Sequence, residues 1–244
     1  MKEKLIKALE FIAVIAAILI STVVVRNISV ESILKGKEET VTLAMTENGL
    51  PEDFIGKPAG NDIPRIEDVK TWEDTWQTSY VTIESTEIIS TGIGTRHPWI
   101  DTYTSSTRRR GSRRRADVTS MVFDVLDEYA EYFIVRLPDG SYILAQMSID
   151  DARKLKAGKE ITLPVGQKSP AHRQVLANIS ELCEEYDVYT EGVFYCIDDK
   201  WNEEHNFMLT LVRIVIIVLT TIVIGVVLIM LIDKVFKEKE VQQG

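Results

Sequence analysis

Two long apolar runs bracket a middle in which hydrophobic and polar residues alternate in short blocks. Residues 214–232, IVIIVLTTIVIGVVLIMLI, carry no charge. As a helix rising about 1.5 Å per residue, a run of about 19 residues matches the roughly 30 Å hydrocarbon core of a bilayer. Lipid offers the backbone no hydrogen-bond partner, and a helix supplies its own. The N-terminal run, residues 5–25, is LIKALEFIAVIAAILISTVVV; Lys7 and Glu10 interrupt its first turns, and it is unbroken from Phe11 onward. An uncleaved anchor is the preferred reading. A cleaved signal peptide is the alternative, because Lys2, Lys4 and Lys7 form a basic leader, although Val23, Val24, Val25 and Arg26 follow where small residues would mark a cleavage site.

The middle is organised by its turn residues. Residues 26–79 are polar and punctuated by Gly and Pro, with a short helix expected over 64–76 that sets Trp72 and Trp76 on one face as a packing stripe. Residues 80–85 and 87–93 are rich in Val, Ile and Thr and predict strands, with a bulge or bend near Gly92 and Gly94. Residues 118–126 read as strand or helix, with strand preferred. The firmest pattern is YFIVRLPDGSYILAQMS, residues 132–148. Two apolar runs flank Leu-Pro-Asp-Gly-Ser, where Pro138 presets one turn dihedral and Gly140 accepts a positive φ, so a hairpin covered on both faces is predicted. Ser148-Ile-Asp-Asp opens a short helix over 150–156, residues 159–165 form a further strand, and Ser169-Pro170 starts a second helix with an apolar stripe at Val175, Leu176, Ile179, Leu182 and Cys183. Residues 186–197 close the middle with β character.

The chain therefore divides into a short N-terminus (1–4), a first span (5–25), a polar linker with a short helix (26–79), a folded domain (80–200) with a basic insertion at 97–117, a juxtamembrane piece (201–207), a second span (208–232) and a tail (233–244). The fold class expected is two transmembrane helices flanking an α+β soluble domain, the domain a small OB/SH3-like β-barrel with added helices. In the order YFIVRLPDGSYILA, SIDDARKLKAG and KEITLPVG, the chain resembles the latter part of such a barrel. It is similar in this to uncharacterised two-span membrane proteins of Gram-positive bacteria that carry a barrel between their spans. The resemblance covers residues 80–166, rests on strand and turn texture, and implies an architecture without an activity.

Charge adds orientation. Lys2, Lys4 and Lys7 precede the first span and Lys234, Lys237 and Lys239 follow the second, whereas Asp198, Asp199, Glu203 and Glu204 approach it from the middle. Both termini are expected in the cytoplasm and the domain outside the cell membrane, with Arg26, Lys35 and Lys37 arguing weakly the other way. The net charge of -9 speaks against nucleic acid as a partner. One basic run stands out: Arg108, Arg109, Arg110, Arg113, Arg114 and Arg115, in TSSTRRRGSRRRAD. It reads as a solvated loop tip or as a contact for an anionic lipid, an envelope polymer or an acidic protein.

Chemistry-bearing residues do not converge. His97, His172 and His205 are scattered, no G-x-S-x-G is present, and acidic pairs such as Asp150-Asp151 and Glu184-Glu185 read as surface charge, so an enzyme, a metal site and a cofactor are not expected. Cys183 and Cys196 permit a disulfide if the domain is exported, and otherwise read as two small buried residues. The expectation is a membrane-anchored binding or assembly module that presents its domain to a protein partner, a second copy or an envelope component. A cytoplasm-facing domain touching anionic lipid through the arginine loop is the alternative, and a membrane-bound hydrolase the third reading.

Overall fold

The computed structural model describes residues 2–47, 49–85, 87–96, 125–126, 128–156 and 161–241. Among these, residues 2–30, 125–126 and 207–241 form one compact unit and the remainder a second.

The first unit is helical. Helix α1 (Lys2–Arg26) and the last helix, α8 (Asp199–Val241), are both long and apolar enough to cross a membrane, with stretches of mean hydropathy 2.6 and 3.3. Along α1 the residues Ala13, Ala17, Ser21 and Val25 recur every fourth position and are all buried. A Cβ placed on Gly225 would stand 4.0 Å from that of Ala17, so small side chains let the two backbones approach closely. Ser21 and Thr22 turn their hydroxyls back onto the carbonyls of Ala17 and Ile18 at 2.7 and 2.8 Å, so neither presents an unbonded polar group. The rest of the apolar part of α8 is uncovered: Val218, Ile222, Val223, Val227 and Met230 are each about half exposed or more.

The second unit is built on two sheets. Helices α2 (Val30–Lys35), α3 (Leu43–Thr46) and α4 (Pro51–Phe54) lead to strand β1 (Arg65–Ile66) and helix α5 (Val69–Asp74). Strands β2 (Thr82–Ser85), β3 (Ile88–Arg96), β4 (Glu128–Arg136) and β5 (Tyr142–Ser148) follow, then helix α6 (Ile149–Lys156), strands β6 (Ile161–Thr162) and β7 (Gln167–Pro170), helix α7 (Arg173–Glu185) and strand β8 (Tyr189–Tyr195). One sheet runs β1-β2-β6 and the other β3-β4-β5-β8-β7; β5 and β8 are parallel, while β3-β4, β4-β5 and β7-β8 are antiparallel. Only two residues separate β2 from β3, and the chain from β6 to β7 keeps bonding to the β2 side through Val81 and Gly166. Neither sheet closes on itself among the described residues, since the end strands β3 and β7 are not paired with each other. The α+β character stands, but a closed barrel is not seen.

The 132–148 hairpin forms as its turn chemistry predicts. Gly140 donates to Leu137 O at 2.9 Å with φ +90°, and Asp139 accepts from the backbone and hydroxyl of Ser141. Both strand faces are covered. Phe133, Val135, Ile143, Ala145 and Met147 enter one core with Phe194, Ile83, Leu163, Leu155 and Trp72, while Ile134, Leu144 and Val193 enter a second core under α7 with Ile179 and Cys183. The bend foreseen near Gly92 is a shift of register between Ser90 and Gly94 against β4.

Several expectations fail for local reasons. The polar linker is not outside the fold: Val41, Phe54 and Ile63 form a third cluster with Val165, and Ile66 and Trp72 enter the main core. Helix α5 stops at Asp74, because Thr75 is already extended, so Trp76 leaves the face of Trp72; Trp72 is fully buried and Trp76 is 79% exposed. Ser169 and Pro170 end strand β7 and do not begin a helix; a proline has no N–H to give and is tolerated at such a strand end, and α7 starts after His172. The strand expected over 118–126 lies outside the described residues except for 125–126, which are helical.

Candidate functional site

Buried charges gather where α2 meets α6 and the start of α8. Helix α6 is opened by Ser148, whose hydroxyl accepts from the Asp151 amide at 3.1 Å and donates to the Asp151 carboxylate at 2.7 Å. This fixes Asp150 and Asp151 on the first turn. Asp150 turns inward, accepts from the amide and hydroxyl of Ser32 at 3.2 and 3.3 Å, and pairs with Arg153 at 2.7 Å. Asp151 pairs with Lys154 at 2.9 Å. Opposite them on α2, Glu31 and Lys35 stand one turn apart and pair at 3.1 Å; the Lys35 ammonium also reaches Glu38 at 3.4 Å and Asp198 at 3.6 Å. Lys35 sits 4.9 Å above the ring of Trp201, which stacks on His205. A cavity of about 370 Å³ opens between these groups, lined also by Ser148 and Thr162.

Burial and neighbours displace two of these groups. Burial pushes the Glu31 carboxyl up, Lys35 pulls it down, and the nearby Asp150 and Asp151 push it up again, leaving it above the ordinary glutamate value. For Lys35, burial pulls down, but Glu31, Glu38 and Asp198 outweigh it and hold the ammonium above its ordinary value. Nearby, Tyr129 donates to Asp199 at 3.3 Å; burial first, and then the Asp199 charge, raise the phenol well above its usual range.

The residues singled out from the sequence do not gather here. Arg108, Arg109, Arg110, Arg113, Arg114 and Arg115 lie outside the described residues, as does His97. Cys183 and Cys196 are unbridged and both buried. Cys183 faces α7's side of the five-stranded sheet and Cys196 the opposite core, so the sheet itself stands between the two thiols and the permitted disulfide is not formed. Burial raises the Cys183 thiol, and burial with the Asp151 charge raises Cys196 far above its usual value, both away from the thiolate form. His172 precedes α7, and His205 bonds the Trp201 carbonyl at 3.0 Å through Nδ1. Arg213 donates to the Leu126 carbonyl at 3.3 Å. Among the described residues no three His, Cys, Asp or Glu side chains are placed to hold a metal ion.

Sequence reasoning counted Lys35 and Asp198 only as charges flanking the spans and passed over Glu31. The only local signal was the four-residue spacing of Glu31 and Lys35, which reads as an ordinary helix-surface pair. Compared with known families, curated proteins and solved structures, the chain matches none.

Proposed function

We propose that the chain is a two-span membrane protein, both tails in the cytoplasm, whose folded domain faces outside and binds a protein partner, a second copy or an envelope component without performing catalysis. The observation that carries this reading is the apolar part of α8, uncovered over most of its surface from Ile214 to Leu231. Water would penalise so much exposed hydrocarbon heavily, and lipid is the solvent that removes the penalty. The lysines beyond both spans support the orientation.

The domain reads as an OB-type barrel. Support comes from chain continuity: 82–96 and 161–170 each take part in both sheets, so tracing neighbours gives β2/β3, β4, β5, β8, β6/β7 and again β2. A helix, α6, between β5 and β6 along the chain and a parallel pairing of β5 with β8 suit that reading. The outer face of β4, β5 and β8 is occupied by α7, which packs on Tyr132 and Tyr142, with Tyr142 edge-on to Tyr186 at 5.6 Å. Aromatic side chains covered in this way are not open to stack on bases, which favours a protein or polymer partner over nucleic acid. The six arginines between β3 and β4 in chain order supply a contact for an anionic group on that partner. If the domain faces the cytoplasm instead, the same run serves anionic lipid.

Sidedness is tested with Trp76→Cys. Trp76 is 79% exposed, while Cys183 and Cys196 are buried and give little background. A membrane-impermeant maleimide should label W76C, and not the parent chain, in intact wall-stripped cells. Labelling that appears only after lysis replaces the exported reading with the cytoplasm-facing one.

A further inference from the structure

Helix α2 follows α1 after residues 27–29 and carries both members of the Glu31–Lys35 pair. Its seat is an unbalanced ionic cluster. The Lys35 ammonium answers three carboxylates, Glu31, Glu38 and Asp198, at 3.1, 3.4 and 3.6 Å, and only 9% of its side chain is exposed. The carboxylates of α6 add to the excess, although each has a base of its own: Arg153 on Asp150 and Lys154 on Asp151. Among the described residues Glu31, Glu38 and Asp198 share that one ammonium; Glu31 also stands near the Asp150 and Asp151 charges, and only 9% of its side chain is exposed. Like charges this close inside a fold repel strongly, and one proton relieves the repulsion at little cost in packing.

We propose that α2 is a proton-operated clasp: a proton taken up by the Glu31 carboxylate as pH falls tightens the hold of α2 on α6, and its loss as pH rises loosens that hold. The Lys35 ammonium stays in place on Glu38 and Asp198 when Glu31 is neutral, and the Ser32 bonds to Asp150 do not involve Glu31 at all. The direction of linkage follows from burial, which leaves Glu31 with a higher proton affinity folded than unfolded. Such a group stabilises fully below its unfolded value and loses that contribution as pH rises through the folded one. His205 stacks on Trp201, over which Lys35 sits, and is replaced below as a control.

Hydrogen exchange of the full chain in lipid nanodiscs, corrected for intrinsic rates, reads the clasp directly. Protection of the 30–35 amides should rise at least about threefold as pH falls from about 7.5 to about 5. Glu31→Gln should be as protected at the upper pH as the parent chain is at the lower, with a flat profile, and His205→Gln should keep the rise. A flat profile in the parent chain, or an unchanged slope in E31Q, overturns the clasp. So does a slope abolished by H205Q alone. Sidedness of the domain does not enter this measurement, so its failure is distinct from failure of the exported reading.

Discussion

Glu131 shows how much one side chain can decide. It is 7% exposed on β4, and one carboxylate oxygen accepts from the Gly92 amide at 2.9 Å and from the Ser90 hydroxyl. The register shift of β3 takes the Gly92 N–H out of the ladder, and the carboxylate replaces the lost strand partner. Glu131→Ala should therefore cost about 1–3 kcal/mol, because the half-buried Gly92 amide keeps only its longer bond to the Ser90 hydroxyl at 3.3 Å, and lower the urea midpoint followed by tryptophan fluorescence. Ser90→Ala, which leaves the 2.9 Å bond from Gly92 to Glu131 in place, should cost less. Gly56 is a second position of this kind: at φ +85° a Cβ would fall 2.3 Å from the Asp198 amide, so Gly56→Ala meets both strain and backbone. The glycine spacing told of a bend at 92–94, yet nothing local announced that a glutamate two strand positions from Phe133 would cap it.

At the scale of elements, α7 and the hairpin beneath it share one core. Ile179 is 3% exposed and fills the space over Ile134, Leu144 and Val193. Ile179→Ala should destabilise the domain by about 2–4 kcal/mol, as cavity-forming substitutions do, and should speed exchange in 173–185. The hairpin and the apolar stripe of α7 were legible because their period and turn residues are strong signals within one stretch of chain. The start of α7 and the end of α5 were not, since Pro170 and Thr75 suit either outcome until a partner strand or cap is present. Trp76 illustrates the second case: its spacing from Trp72 promises a shared face only if the helix continues.

On the scale of the whole molecule, two helices dominate behaviour. Exposed apolar surface on α1 and α8 should keep the chain in the membrane pellet through alkaline carbonate extraction, whereas a chain of residues 27–206 should pass to the supernatant. Recovery of the full chain in the supernatant would remove the membrane reading.

The two apolar helices, the hairpin of 132–148 and the helix after Ser148 were determined by sequence alone, because each rests on interactions between residues close along the chain. Tertiary structure alone decided that Val41, Ile63, Ile66 and Trp72 belong to the domain's cores, that β5 and β8 run parallel, and that a sheet separates Cys183 from Cys196. It likewise brought Asp198 to the lysine that Glu31 and Glu38 flank along the chain, and set Asp150 against Ser32. The physical reason is distance along the chain: these contacts join segments tens to over a hundred residues apart, so their energies depend on which faces meet, and neither periodicity nor composition carries that information.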